Sequence, residues 1–209
     1  MDCVPQYGAL RQQIAGANLY LVGMMGCGKS RVGQILAQLL GYRWLDADQV
    51  LETVTGRKIS TLFAQEGEEG FRRLETAVLG QIGQWHSSVV STGGGAVIRP
   101  ANWGVMHQGV VIWLAAPGEL LLKRLQQDST PRPLLQVPNP AQRLQELLAA
   151  RERFYAQADM SIMQTETMTP EAVAAALLEA LPTHVGPQQP VPPGPSPWRG
   201  DDTHLGGQT

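Results

Sequence analysis

No part of the chain comes near the ~20 consecutive apolar residues that a membrane-spanning helix needs, so no α-helical membrane protein is expected. The start, Met1-Asp2-Cys3-Val4-Pro5, has no basic segment ahead of an apolar core, so no export signal is expected and the cytoplasm is the expected compartment. Cysteine is scarce: Cys3 and Cys27 show neither metal-ligand spacing nor a disulfide framework, which fits a reducing environment. Charge of one sign is also missing. A formal net charge of -2 without a basic stripe argues against a nucleic-acid partner. Lysine is rare, with only Lys29, Lys58 and Lys123 against 13 arginines among the 16 basic residues. Arginine's flat fork of donors suits carboxylates and phosphates, but the excess reads as compositional bias, and only arginines inside motifs carry weight. No internal repeat is visible. A chain of 209 residues, 43% hydrophobic, suits one compact domain.

What is present is a rhythm. Short apolar runs at 18–22, 42–46, 88–91, 110–114 and 159–163 read as strands. Longer amphipathic segments at 47–55, 59–65, 67–85, 100–107, 117–126, 140–156 and 170–181 read as helices. After Gly28, the residues Val32, Ile35, Leu36, Leu39 and Leu40 recur at helical spacing until Gly41 ends them. Strands separated by helices call for parallel pairing through right-handed crossovers, hence a three-layer α/β domain. The segment 126–140 carries Pro131, Pro133, Pro138 and Pro140 around Arg132 and is expected to form a mobile lid. Residues 1–15 are expected to be a helical N-terminal extension and 16–182 the folded domain. Residues 183–209, rich in Pro, Gly and Gln, are expected to be a disordered tail.

Gly23-Met24-Met25-Gly26-Cys27-Gly28-Lys29-Ser30 matches the full G-x-x-x-x-G-K-[ST] phosphate loop, directly after an apolar strand and at the start of a helix. Glycines let the backbone curl with N–H groups inward, and the helix presents its positive end to the same anion. Lys29 is placed to reach the β- and γ-phosphates and Ser30 to ligate Mg²⁺. Cys27 reads as a tolerated small side chain. The loop predicts a nucleotide site but leaves the fate of the γ-phosphate open.

The other motifs fall where an acceptor would bind. Asp46-Ala47-Asp48 ends the second strand, at the sheet edge that faces the ligand crevice. Asp46 can hold a Mg²⁺-bound water and Asp48 can accept a hydrogen bond from an acceptor hydroxyl; alternatively, one of them caps the next helix. Arg72 and Glu75, three apart, share a helix face, so the glutamate can fix the arginine as a fork for a carboxylate, while Arg73 points to solvent. Gly93-Gly94-Gly95 ends the third strand and lets a ligand approach the backbone closely.

These motifs, with Phe71-Arg72-Arg73-Leu74-Glu75, Arg132-Pro133-Leu134-Leu135 and Arg151-x-x-x-Tyr155, resemble in order and spacing those of the shikimate kinase family, over roughly residues 16–165. The resemblance implies a nucleoside-monophosphate-kinase-like fold with a five-stranded parallel sheet in the order 2-3-1-4-5. It implies ATP as donor, one Mg²⁺ per subunit, and transfer of the γ-phosphate to the 3-hydroxyl of shikimate in the pathway to chorismate and aromatic amino acids. Position by position, Gly26, Cys27, Gly28, Lys29, Ser30 and Arg31 would line the phosphates, with Ser30 and Asp46 on the metal. Asp48, Arg72, Gly94 and Arg151 would bind shikimate, and Arg132 would swing onto the transferring group. Lys29, Asp48 and Arg132 are thus the expected catalytic residues, in a monomer that works on its two small substrates without nucleic acid or membrane. Two departures stand out. Arg31 replaces the usual threonine, and the lid is about one residue longer before Arg132, which leaves open whether Arg124 serves the adenine side. The rival expectations are another small-molecule kinase of this fold, of the gluconate type, and a non-catalytic binding homologue; the latter should have lost Lys29, Asp48 or Arg132, and all three are present.

Overall fold

A computed structural model describes residues 5–128 and 132–185. Five short strands, β1 (Leu19–Val22), β2 (Arg43–Asp46), β3 (Ser88–Ser91), β4 (Val110–Ala115) and β5 (Met160–Met163), form one parallel sheet in the order β2-β3-β1-β4-β5. The helices are α1 (Gly8–Ile14), α2 (Lys29–Leu40), α3 (Ala47–Thr55), α4 (Ile59–Ile82), α5 (Pro100–Met106), α6 (Gly118–Gln127), α7 (Pro140–Tyr155) and α8 (Pro170–Ala180). The expected α/β class and strand order are both found. Element ends shift from the sequence expectation by a residue or so in most cases, as helix ends fray and pairing stops gradually.

The three layers follow from strand periodicity. On β1, Leu19 and Leu21 point into one core with Leu36 and Leu40 of α2 and Leu177 of α8. Tyr20 and Val22 point the other way, into a second core with Leu51 of α3, Val78 and Leu79 of α4 and Trp103 of α5. Central β1 and β3 are buried throughout, which is why they read as uninterrupted apolar runs, whereas edge strand β2 is half exposed. The helical pattern over 59–82 breaks at Gly67, with φ 68° and ψ -177°, so the expected division near residue 66 is present although the two pieces stack end to end. Gly41 ends α2 in the left-handed conformation (φ 64°), as expected.

The termini differ from expectation. Leu10 and Ile14 of α1 lie in the first core, so this helix belongs to the domain and not to an appended arm. At the other end the composition predicts a tail from 183, yet Val185 is 2% exposed in that same core. The Gln13 amide donates to the carbonyls of Pro182 and Val185, both at 2.9 Å, and so ties the two ends together. A single valine among polar residues leaves no periodicity to find. Residues 186–209 of the expected tail, and 129–131 of the expected lid, lie outside the described residues.

Val185→Ala should therefore cost about 2 kcal/mol in denaturant unfolding, as deletion of two buried methyl groups does. Val54→Ala, at a site 62% exposed, should leave the midpoint unchanged.

Candidate active site

The phosphate loop runs from the end of β1 into α2. Gly26 and Gly28 hold φ values of 82° and 88°, the left-handed region that turns successive N–H groups inward. The first turn of α2, with Lys29, Ser30 and Arg31, has N–H groups without helical partners, while the Arg31 side chain is exposed. The Lys29 ammonium donates to the Gly23 and Met24 carbonyls at 2.8 and 3.1 Å, along the rim of the loop. Cys27 is buried, and its N–H is engaged by the Met24 carbonyl at 3.2 Å.

Asp46 takes the capping role, and its second oxygen faces the phosphate loop. Its Oδ1 caps α3 by accepting from the Asp48 and Gln49 amides at 3.1 and 3.3 Å, and its Oδ2 accepts from the Ser30 hydroxyl at 2.7 Å. A hydroxyl and a carboxylate beside a phosphate loop suit Mg²⁺, which keeps several waters and binds through few protein oxygens together with nucleotide phosphates. Among the described residues no three His, Cys, Asp or Glu side chains gather into a metal cage, and a site of this kind needs none.

Across the cleft, α4 buries an ion pair. Arg72 Nη1 meets Glu75 Oε2 at 2.8 Å, with the two side chains 7% and 3% exposed, and Arg72 Nη2 meets Glu68 at 3.2 Å. Arg73 is exposed, as its place one residue on requires. The three glycines after β3 lie over this pair. A Cβ on Gly93 would strike Glu75 and come within 3.1 Å of Asp48 Oδ1; one on Gly95 would overlap the Arg72 guanidinium. A Cβ on Gly94 would instead face the phosphate loop, 3.4 Å from the Met25 amide nitrogen. Arg151 of α7 is 3% exposed, and its Nη1 donates to the Gly94 carbonyl at 3.3 Å.

A cleft of about 680 Å³ opens between these groups, and its walls include Ser30, Asp46, Asp48, Phe63, Arg72 and Arg132. Gly94 and Arg151 do not line it; they adjoin it through Gly93, which does, and through the bond of Arg151 to the Gly94 carbonyl. Arg132 is held by Asp128 at 2.9 Å, and its Nε has no partner among the described residues. The Arg72 Nε and Glu75 Oε1 atoms are likewise buried without a partner there. Asp48, Arg72, Gly94 and Arg151, far apart in sequence, thus meet beside the phosphate loop.

Residues 25–182 match the family model described as Shikimate kinase. The chain belongs to the shikimate kinase family. It is 49% identical over 181 residues to a shikimate kinase of Thermosynechococcus vestitus, covering 87% of this chain and 98% of that one. Among solved structures, the shikimate kinase from Acinetobacter baumannii in complex with shikimate superposes with a TM-score of 0.78 at 39% identity, over 83% of this chain and 97% of that one. A gluconokinase from Sinorhizobium meliloti reaches a TM-score of 0.53 at 17% identity, over 81% of this chain and 95% of that one, a likeness of fold alone.

Within this shikimate kinase fold, the sequence motifs missed Gln164 and one of the contacts of Glu75. Gln164, 2% exposed just past β5, donates from Nε2 to the Cys27 carbonyl at 2.9 Å and accepts from Arg124 Nη1 at 3.0 Å. Arg124 also reaches the Gly26 carbonyl at 3.4 Å. Inward N–H groups require outward carbonyls, and these two side chains satisfy them from behind. The only available sign was a polar residue at a strand's C-terminal end. Glu75 was legible as the partner of Arg72 but not as a neighbour of Asp48.

Asp48 carries the most consequential electrostatics. Burial, with Asp46 and Glu75 nearby, pushes its carboxyl up to about 6 against the pull of Lys29 and Arg132. Burial also raises Glu75, more than the adjacent Arg72 guanidinium lowers it. Burial opposes the charge on Arg72, but Glu75 and Glu68 outweigh it and hold that group above its ordinary value.

Turnover under limiting acceptor should fall about tenfold per pH unit below ~6 if the Asp48 carboxylate is the required form. Since the folded value lies above that of an unfolded chain, ionising Asp48 costs folding free energy above pH ~6, a cost that vanishes once both states are protonated. Asp48→Asn should accordingly abolish activity yet raise stability at pH 7.5 by about 1–2 kcal/mol, a gain that fades as pH falls from ~6 toward ~3.8 and is gone below it. Gln164→Leu should raise the KM for ATP several-fold and leave that for the acceptor within about twofold, because an unpaired buried carbonyl lets the loop reorient.

Proposed function

We propose that this protein is a shikimate kinase that transfers the γ-phosphoryl group of ATP to the 3-hydroxyl of shikimate, giving shikimate 3-phosphate and ADP on the route to chorismate and aromatic amino acids. The observation that carries this reading is a cleft at the phosphate loop lined by Ser30, Asp48, Arg72, Gly93 and Arg132, with Arg151 bonded to the adjoining Gly94 carbonyl. Family membership and the likeness to a shikimate-bound relative support it.

The chemistry is positioning plus electrostatics, as phosphoryl transfer passes through a loose transition state with charge spread over three oxygens. The amides of Gly26, Gly28, Lys29, Ser30 and Arg31 cradle the phosphates, and Cys27 contributes through its carbonyl tether to Gln164. Lys29 leaves the Gly23 and Met24 carbonyls for the β- and γ-phosphates. Ser30, with Asp46 behind it, would hold the one Mg²⁺ of the subunit, which when bound supplies positive charge to the phosphates. Arg72 and Arg151 present guanidinium donors to the acceptor carboxylate; the unpartnered Nε of Arg72 is a donor in want of such an acceptor. Gly94 lies against the ring. Asp48 takes the hydrogen of the 3-hydroxyl and aims its oxygen at the γ-phosphorus. Arg132 turns from Asp128 onto the transferring group, and closure of the segment around it excludes water.

The enzyme so read is a cytoplasmic monomer without nucleic-acid or membrane partners. Among the described residues no helix is long and apolar enough to cross a membrane.

A coupled assay for ADP release should show turnover with shikimate and none with gluconate or AMP; the reverse pattern would overturn the reading. Arg72→Ala should raise the shikimate KM by about 10²-fold with the ATP KM nearly unchanged, whereas Lys29→Met should lose about 10²–10³ in kcat while keeping the fold.

A further inference from the structure

Tyr155 has no part in the chemistry just described, yet it is fully buried against the acceptor side of the site. It ends α7, one helical turn after Arg151 and on the same face. Its hydroxyl donates to the Gly94 carbonyl at 2.5 Å, shorter than the 3.3 Å bond that Arg151 Nη1 makes to the same oxygen. Its ring stacks on Trp113 of β4, with centroids 5.8 Å apart and planes 20° from parallel, so the hydroxyl stands on a rigid base fixed to the sheet. Burial raises the phenol well above its ordinary value, which keeps it a donor at any working pH.

We propose that Tyr155 is a positioning residue for the acceptor site: by occupying the Gly94 carbonyl it fixes the glycine loop and limits the hold of Arg151 on that oxygen, keeping the guanidinium available for the acceptor carboxylate. Three physical points lead there. A carbonyl oxygen has two lone pairs, and Gly94 uses them on two donors of unequal strength. Gly94 has no side chain to anchor it, and a Cβ there would face the Met25 amide of the phosphate loop, so the orientation of its peptide is set by the two donors on its carbonyl. Arg151 is held below its ordinary value, chiefly by burial, with the adjacent Tyr155 hydroxyl opposing that shift and the Arg72 guanidinium adding to it. A buried cation in that position turns to whatever acceptor is nearest. Without the phenol, the nearest is the Gly94 carbonyl, and Arg151 closes onto it.

The inference rests on the functional reading above, and one set of kinetics separates the two. Tyr155→Phe removes a single hydroxyl and keeps the stacked ring. The expected result is a rise of about tenfold in the shikimate KM, with the ATP KM within about twofold of wild type. In an Arg151→Ala background the same substitution should add less than about twofold, since the two residues act on one carbonyl. A wild type inactive on shikimate would overturn the functional reading and this inference with it. An active wild type whose shikimate KM is untouched by Tyr155→Phe would overturn the inference alone. So would equal rises in both KM values, full additivity with Arg151→Ala, or loss of the folded state, any of which would make the hydroxyl a bond of structure only.

Discussion

The site is organised around one buried ion pair, Arg72 with Glu75, on the face of α4 that looks toward the end of the sheet. Removing two charges from water is expensive, and a pair so placed contributes little net stability. Its consequences are geometric. The guanidinium occupies the space where a side chain on residue 95 would stand, and the carboxylate that of residue 93, so the chain leaving β3 can pass only as glycine. That bare backbone is thin enough to lie between the charged pair and the phosphate loop, which brings Asp48, Arg72 and the phosphate loop onto one cleft. Breaking the pair would leave a lone buried charge, and the glycine loop would lose its template.

A second theme is the support of backbone from behind. At the phosphate loop, Gln164 and Arg124 bond the carbonyls of Cys27 and Gly26; at the glycine loop, Tyr155 and Arg151 bond that of Gly94. In each case a peptide without a useful side chain is oriented by a distant element of the fold, β5 and α6 in one, α7 in the other. Positional precision at the site is thereby transferred from flexible loops to the sheet and its covering helices. Asp48 bears the cost of that crowding, its carboxyl raised chiefly by burial.

Much of this was legible in the residues because it depends on local chemistry. Alternating strand and helix periods, with Gly41 stopping α2, were enough for the layers, and the order of motifs matched a family whose strand order the sheet reproduces. The phosphate loop, the Arg72–Glu75 spacing and the exposed Arg73 each follow from one helical turn or one tight bend. What stayed hidden depends on contacts across the fold. Gln164 lies 137 residues from the carbonyl it holds, Tyr155 lies 61 from its own, and Val185 is a lone apolar residue in polar surroundings. Asp46 looked like a choice between cap and ligand-side residue; one of its oxygens caps α3 while the other accepts from Ser30, which no one-dimensional pattern can express.

The central claim is that the buried guanidinium groups and the glycine loop receive the acid end of the acceptor while Asp48 receives its hydroxyl. A crystal structure with shikimate and a non-hydrolysable ATP analogue tests it most directly. The acceptor carboxylate should lie within hydrogen-bond distance of Arg72 and Arg151, the 3-hydroxyl against Asp48 and facing the γ-phosphate. A ring bound the other way round, with its carboxylate toward the nucleotide or away from both arginines, would contradict the account.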